Sequence, residues 1–136
     1  STEKKQLLRS LSRDFDEVNP EDHIVLVAGS TEGLKITGIT FGQGGEIISC
    51  APTFLSMMDY AELWGTDINW VPLNKDLDFD LDEIEKRVSY QTRLVFLCNP
   101  NNPTGKLLPA DRVMDFCETV SKKTVVFSDE AYYNIY

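Results

Sequence analysis

The sequence is poor in several features that would indicate particular classes of protein. Its 136 residues contain one histidine, and 13 basic against 22 acidic residues give a net charge of -9. No Lys/Arg run exceeds two residues, so nucleic acids and anionic membranes are poor partners. No apolar run approaches the roughly 18 residues that a membrane span needs. Because His23 has no second histidine and no zinc-like cysteine spacing beside it, we expect no metal site.

Cysteine is also scarce. Cys50, Cys98 and Cys117 form an odd set, and the first two lie in apolar segments. The sequence also lacks the pattern of a secretory leader, so reduced thiols in the cytoplasm are the expected state. The remaining composition, 42% hydrophobic and 26% charged, is ordinary for a globular chain. The length fits one domain at most.

Continuous apolar runs alternate with segments of helical periodicity. Four runs and a weaker fifth predict strands covered on both faces: residues 24–28, 47–50, 94–98, 125–127 and 68–71. Between them, apolar residues recur every 3.6 positions in segments 54–64, 77–88 and 113–120, which predicts helices. Thr53 is predicted to mark the start of the first helix. Asp80, with Glu83 three residues later, is predicted to mark the start of the second. This order predicts an α/β fold, with a mostly parallel sheet and helices on both faces.

Three polar clusters follow apolar runs, where open α/β sheets bind ligands. The first, Gly29-Ser30-Thr31-Glu32-Gly33, opens a predicted helix whose first N–H groups suit a phosphate. The alternative is that Ser30 only caps this helix. The glycines of residues 42–45 fit no nucleotide-binding motif and predict a helix exit.

The second cluster is Asn99-Pro100-Asn101-Asn102-Pro103-Thr104-Gly105. Its prolines restrict the backbone, so the amides of Asn99 and Asn102 are expected to hold fixed orientations suited to ligand recognition. The alternative is an ordinary turn.

The third cluster is Ser128-Asp129-Glu130-Ala131-Tyr132-Tyr133. A carboxylate leaving a buried strand needs a cationic or hydrogen-bonding partner, so Asp129 is a candidate functional residue. The alternative is a helix cap. An anion site, an amide, a carboxylate and a phenol together match what pyridoxal phosphate requires.

In this order and spacing the motifs closely resemble the class I/II aminotransferases of fold type I, with the histidinol-phosphate aminotransferase branch nearest. The resemblance spans essentially all 136 residues. It implies part of the family's large domain, pyridoxal phosphate as cofactor, an amino donor and a 2-oxo acid as substrates, and a homodimer when complete.

The resemblance also implies roles for individual residues. Ser30 and Thr31 match the phosphate-binding positions, and Phe54 matches the aromatic that stacks on the ring, although a core position is the alternative for Phe54. Three further residues match cofactor contacts: Asn102 and Tyr132 with the 3′-oxygen, and Asp129 with the ring nitrogen.

The family's cofactor-binding lysine has no counterpart here, since the resemblance places it beyond Tyr136. Lys35 and Lys106 lie outside that position and are expected on the surface. We therefore expect the 136 residues to be a fragment, inactive alone. A fold type I lyase or decarboxylase, or a noncatalytic fragment that binds cofactor, are alternatives.

Overall fold

The computed structural model describes residues 1–13 and 17–132. The helices of the described residues are α1 (Thr2–Leu11), α2 (Pro20–His23), α3 (Ser30–Gly42), α4 (Ser56–Leu63), α5 (Leu81–Arg87) and α6 (Ala110–Val120). The strands are β1 (Glu46–Ala51), β2 (Asp67–Pro72), β3 (Thr92–Cys98) and β4 (Val125–Asp129). These strands form one parallel sheet in the order β2-β1-β3-β4.

The order of the strands places helices on both faces of the sheet. The chain passes from β1 outward to β2 through α4, then returns across the sheet to β3 and β4 through α5 and α6. Since such crossovers are right-handed, the change of direction puts α4 on one face and α5 and α6 on the other. Helix α3 packs against α4, and α5 against α6. The predicted α/β fold is confirmed.

The two central strands are mostly buried because both of their faces are covered. In β1, Ile47 and Ile48 are fully buried, as is the whole apolar run of β3 from Leu94 to Leu97. The ring of Phe96 stacks on that of Phe127 in β4, with 5.9 Å between their centroids. The helices complete the core with Leu34, Met57, Met58, Ala61, Leu81, Ile84, Phe116 and Val120.

The predicted helix boundaries are correct in two cases and wrong in one. Asp80 precedes α5, and its carboxylate accepts the Glu83 N–H at 3.1 Å. The glycine stretch does end a helix, since α3 stops at Gly42 and Gly44 has a φ of 80°. Thr53 does not start α4, which begins at Ser56 after Leu55. The Thr53 hydroxyl bonds to a distant side chain instead.

The predicted strand at residues 24–28 is the main correction to the fold. The structure assigns no strand there, and the side chain of Val25 is 80% exposed. An extended segment becomes a strand only when a neighbour accepts its hydrogen bonds. None of the four described strands pairs with it.

The longest helix of the described residues, α3, has 13 residues and falls short of the roughly 20 that cross a bilayer.

The contact between α3 and α4 generates a prediction about stability. A methyl group at Gly38 would lie 2.9 Å from Met57 Cγ, whereas one at Gly33 would lie 3.4 Å from Val27. Alanine for glycine favours a helix by about 0.5–1 kcal/mol, but overpacking costs roughly 1–3 kcal/mol. We expect Gly38→Ala to lower the urea midpoint and Gly33→Ala to maintain or raise it, as followed by circular dichroism. Equal midpoints would show that the helices do not pack this closely.

Candidate active site

The carboxyl ends of β1, β3 and β4 meet at one edge of the sheet because the strands are parallel. Residues 52–55 follow β1, residues 99–109 follow β3, and β4 ends with Asp129. Cys98 pairs with Asp129 in the sheet register, and the Asn99 N–H donates to the Asp129 carbonyl oxygen at 2.9 Å. The second and third polar clusters are therefore neighbours in space.

The loop after β3 is organised by its own side chains and backbone. The Asn99 side-chain oxygen accepts the Leu108 N–H at 2.8 Å. The Asn101 N–H donates to the Lys106 carbonyl oxygen, and the Gly105 N–H to that of Asn101, both at 2.8 Å. Gly105 has a φ of 71°, a conformation that glycine adopts without steric cost. These bonds give the loop a defined conformation that presents the half-buried Asn102.

A second set of hydrogen bonds joins this loop to the segment after β1. The Thr53 hydroxyl donates to the Asn101 side-chain oxygen at 2.7 Å. The Asn101 amide donates in turn to the Pro52 carbonyl oxygen at 3.0 Å and to the Thr104 hydroxyl at 3.1 Å. Sequence reasoning missed both Thr53 and Asn101 as residues of the site. The polarity of Asn101 within an otherwise buried segment is the signal that could have indicated it.

The first cluster forms the start of α3. Gly29 precedes the helix with a φ of 87°, and the Glu32 carboxylate accepts the Ala28 N–H. Ser30 is the first helical residue, so Gly29 and not Ser30 occupies the cap position. The N–H groups of Ser30 and Thr31 belong to a first turn that supplies them no helical carbonyl. They are exposed donors at the positive end of a helix.

Two cavities contain four of the six predicted site residues. A cavity of about 460 Å³ between α3 and β4 is lined by Ser30 and Asp129, together with apolar residues such as Leu34 and Phe127. A second, of about 320 Å³, is lined by Phe54 and Asn102. Both volumes fall within the usual range for ligand sites, about 300–1,000 Å³. Thr31 and Tyr132 line neither cavity, and the Tyr132 side chain is 44% exposed.

The buried thiol of Cys98 lies between these two groups of residues. Its pKa is raised chiefly by burial, and the negative charge of Asp129 raises it further. Hydrogen-bonding groups of Asn102, Thr53 and Phe54 act in the opposite direction. The thiol is thus close to residues at the carboxyl ends of three different strands.

Asp129 retains the capacity to bind a ligand. It is half-buried, and one carboxylate oxygen accepts the Ala131 N–H at 3.1 Å. The ion pairs among the described residues use the carboxylates of Glu83 and Asp82. The alternative of a helix cap concerns a helix that would continue through residues 133–136, which lie outside the described residues.

Comparisons with known proteins agree on one family. A family model described as aminotransferase class I and II matches residues 3–136. A histidinol-phosphate aminotransferase of Bacillus cytotoxicus is 36% identical over 127 residues, which are 93% of this chain and 34% of that protein. An aromatic amino acid aminotransferase of Cutibacterium acnes is 38% identical over 110 residues, 80% of this chain and 31% of that protein. The chain thus spans about a third of the length of these relatives.

The fold is shared as well. The crystal structure of YbdL from Escherichia coli, described as having a methionine aminotransferase function, matches with a TM-score of 0.82 at 23% identity. The match covers 95% of this chain and 35% of that one.

The position of Cys98 predicts its reactivity. The thiolate is the nucleophilic form of cysteine, and burial raises the pKa of both Cys98 and Cys117. The two thiols differ in accessibility, because Cys98 is buried and Cys117 is only half-buried. We expect iodoacetamide to modify Cys98 more slowly than the half-buried Cys117 by about tenfold or more at mildly alkaline pH. Mass spectrometry of digested samples over time measures both rates. In urea the two rates should converge, and equal rates in the folded protein would contradict this placement of Cys98.

Proposed function

This chain belongs to the class I and II aminotransferases, and we propose that it forms the cofactor-binding part of an enzyme that transfers amino groups with pyridoxal phosphate. The observation that carries the proposal is that the cluster ending β4 is next to both other clusters: Ser30 and Asp129 line one cavity, and the Asn99 N–H bonds to the Asp129 carbonyl oxygen at the carboxyl edge of the sheet. Ligands of open α/β folds bind at this edge.

The polar groups of the candidate site fit the chemical groups of the cofactor. The N–H groups of Ser30 and Thr31 suit its phosphate, because a helix start favours an anion. The carboxylate of Asp129 suits a protonated ring nitrogen, and the Asn102 amide suits the 3′-oxygen. Tyr132 is a second donor for that oxygen. Phe54, half-buried beside Asn102 in one cavity, provides a flat apolar surface for the ring.

These residues act by holding charges and protons in place. When bound, the cofactor supplies a ring that accepts electrons as the substrate loses a proton. Asp129 keeps the proton on the ring nitrogen, and its partial burial strengthens that interaction relative to water. Asn102 and Tyr132 donate hydrogen bonds that stabilise negative charge on the 3′-oxygen. Buried or half-buried apolar residues such as Leu34 and Phe127 line the cavity beside Asp129.

The proposed substrates are histidinol phosphate or a related amino acid as the donor and 2-oxoglutarate as the acceptor. Relatives described as histidinol-phosphate aminotransferases, at 36% and 39% identity, support this donor. A homodimer and a cytoplasmic location complete the proposal. The three unpaired cysteines are in keeping with a reducing compartment.

The first test concerns the charge of Asp129 in a full-length enzyme that carries this segment. Asp129→Asn should reduce turnover by several orders of magnitude, because a neutral amide does not hold the ring proton. Stopped-flow absorbance with the amino donor measures the loss, and the urea midpoint reports whether the fold is intact. Asp115→Asn, an exposed change on α6, is the matched control. Near-parental turnover of Asp129→Asn would contradict the assignment.

The second test concerns the donors to the 3′-oxygen. Asn102→Ala and Tyr132→Phe should each shift the pH titration of the bound cofactor's absorbance, with smaller losses of turnover than Asp129→Asn. The losses are smaller because each donor partly compensates for the other. Tyr90→Phe, at a side chain that is 86% exposed, serves as the control. If neither variant shifts the titration, both residues lie outside the site.

A further inference from the structure

We propose that the hydrogen-bonded Thr53–Asn101 pair is a positioning device, which fixes the residue that faces the cofactor ring relative to the residue that contacts its 3′-oxygen. This inference rests on the proposed function. Thr53 immediately precedes Phe54, and Asn101 immediately precedes Asn102. Adjacent Cα atoms are about 3.8 Å apart, so a shift of either member moves a site residue directly.

The Thr53–Asn101 hydrogen bond is short and buried. Thr53 and Asn101 are only 6% and 4% exposed. The 2.7 Å hydrogen bond between their side chains joins residues 48 positions apart. Inside a protein, a buried polar group that loses its hydrogen-bond partner destabilises the fold. The two loops are therefore held in one relative placement.

Asn101 extends this constraint across both loops. Its amide reaches the Pro52 carbonyl oxygen at 3.0 Å on the β1 side and the Thr104 hydroxyl at 3.1 Å on the β3 side. With the bond from Thr53, one side chain makes three hydrogen bonds, two to the segment after β1 and one within its own loop. Phe54 and Asn102, the neighbours of the pair, line the same cavity. The pair thus sets the separation of the ring-facing and oxygen-contacting groups.

If the Thr53–Asn101 hydrogen bond only held the two loops together, its loss would lower the stability of the fold and change nothing else. A positioning role affects ligand affinity and the titration of the bound cofactor as well, because hydrogen bonds weaken steeply when their angle departs from linear. The hydroxyl of Thr53 can be removed with little change of shape in Thr53→Val, and retained in Thr53→Ser. These two variants separate the hydrogen bond from the volume of the side chain.

The experiment uses a full-length enzyme that carries this segment, with pyridoxal phosphate as the probe. Equilibrium dialysis gives the dissociation constant, and absorbance gives the titration of the bound cofactor. Thr53→Val should weaken binding by about tenfold, corresponding to about 1.4 kcal/mol, and shift the titration. Thr53→Ser should restore both. Thr104→Val, which removes a half-buried partner of Asn101, should weaken binding less and serves if Thr53→Val does not fold.

The matched control is Thr124→Val. The Thr124 hydroxyl donates to the Thr92 carbonyl oxygen at 3.1 Å, just before β4 at the opposite edge of the sheet. This variant should lose stability with no change of affinity. In an Asn102→Ala background, Thr53→Val should have a smaller effect on the titration, because the group that it positions is gone.

The outcomes separate the two proposals. If the parent enzyme binds no pyridoxal phosphate, the proposed function fails and this inference fails with it. If the parent binds normally and Thr53→Val behaves like Thr124→Val, the pair is only structural and the inference alone is overturned. Equal losses in Thr53→Val and Thr53→Ser would also overturn it, since the hydroxyl would then not be the cause.

Discussion

The parallel pairing of β3 with its two neighbours is the constraint on which the rest of the structure depends. Parallel strands share a direction, so every residue that follows β1, β3 or β4 emerges at one edge. The register between Cys98 and Asp129 then brings the carboxylate beside the loop that carries Asn102. Polar groups separated by tens of positions become neighbours only through this pairing.

The hydrophobic core makes that pairing possible. The central strands are buried on both faces, by α3 and α4 on one side and α5 and α6 on the other. Such strands can be continuously apolar, because neither face needs to contact water. At the point where β1 and β3 end, the burial continues into the loops. Thr53, Asn99 and Asn101 are all buried, and each has a hydrogen-bond partner. The polar network is thus an extension of the core.

This arrangement separates what is common to the family from what distinguishes its members. Relatives described as acting on histidinol phosphate and on aromatic amino acids share 36% and 38% identity with the chain. The chain covers about a third of each. The shared portion contains the carboxyl edge of the sheet, where we propose that the cofactor binds. One fold can serve enzymes with many different substrates, so the amino donor has to be inferred from the residues that contact the substrate.

Elements whose signals are local could be predicted from the order of the residues. The apolar run of residues 94–98 predicted β3, and Asp80 with Glu83 predicted the start of α5. The order of the motifs was sufficient to identify the family. The role of Thr53 depended on tertiary contacts, because its position suggested a helix start although its partner is Asn101, 48 residues away. Tertiary contacts also decided that residues 24–28 form no strand among the described elements, because an apolar run pairs only when a neighbouring strand is present. Caps and periodicity involve residues within one or two turns, whereas hydrogen bonds between loops and pairing between strands depend on groups that folding alone brings together.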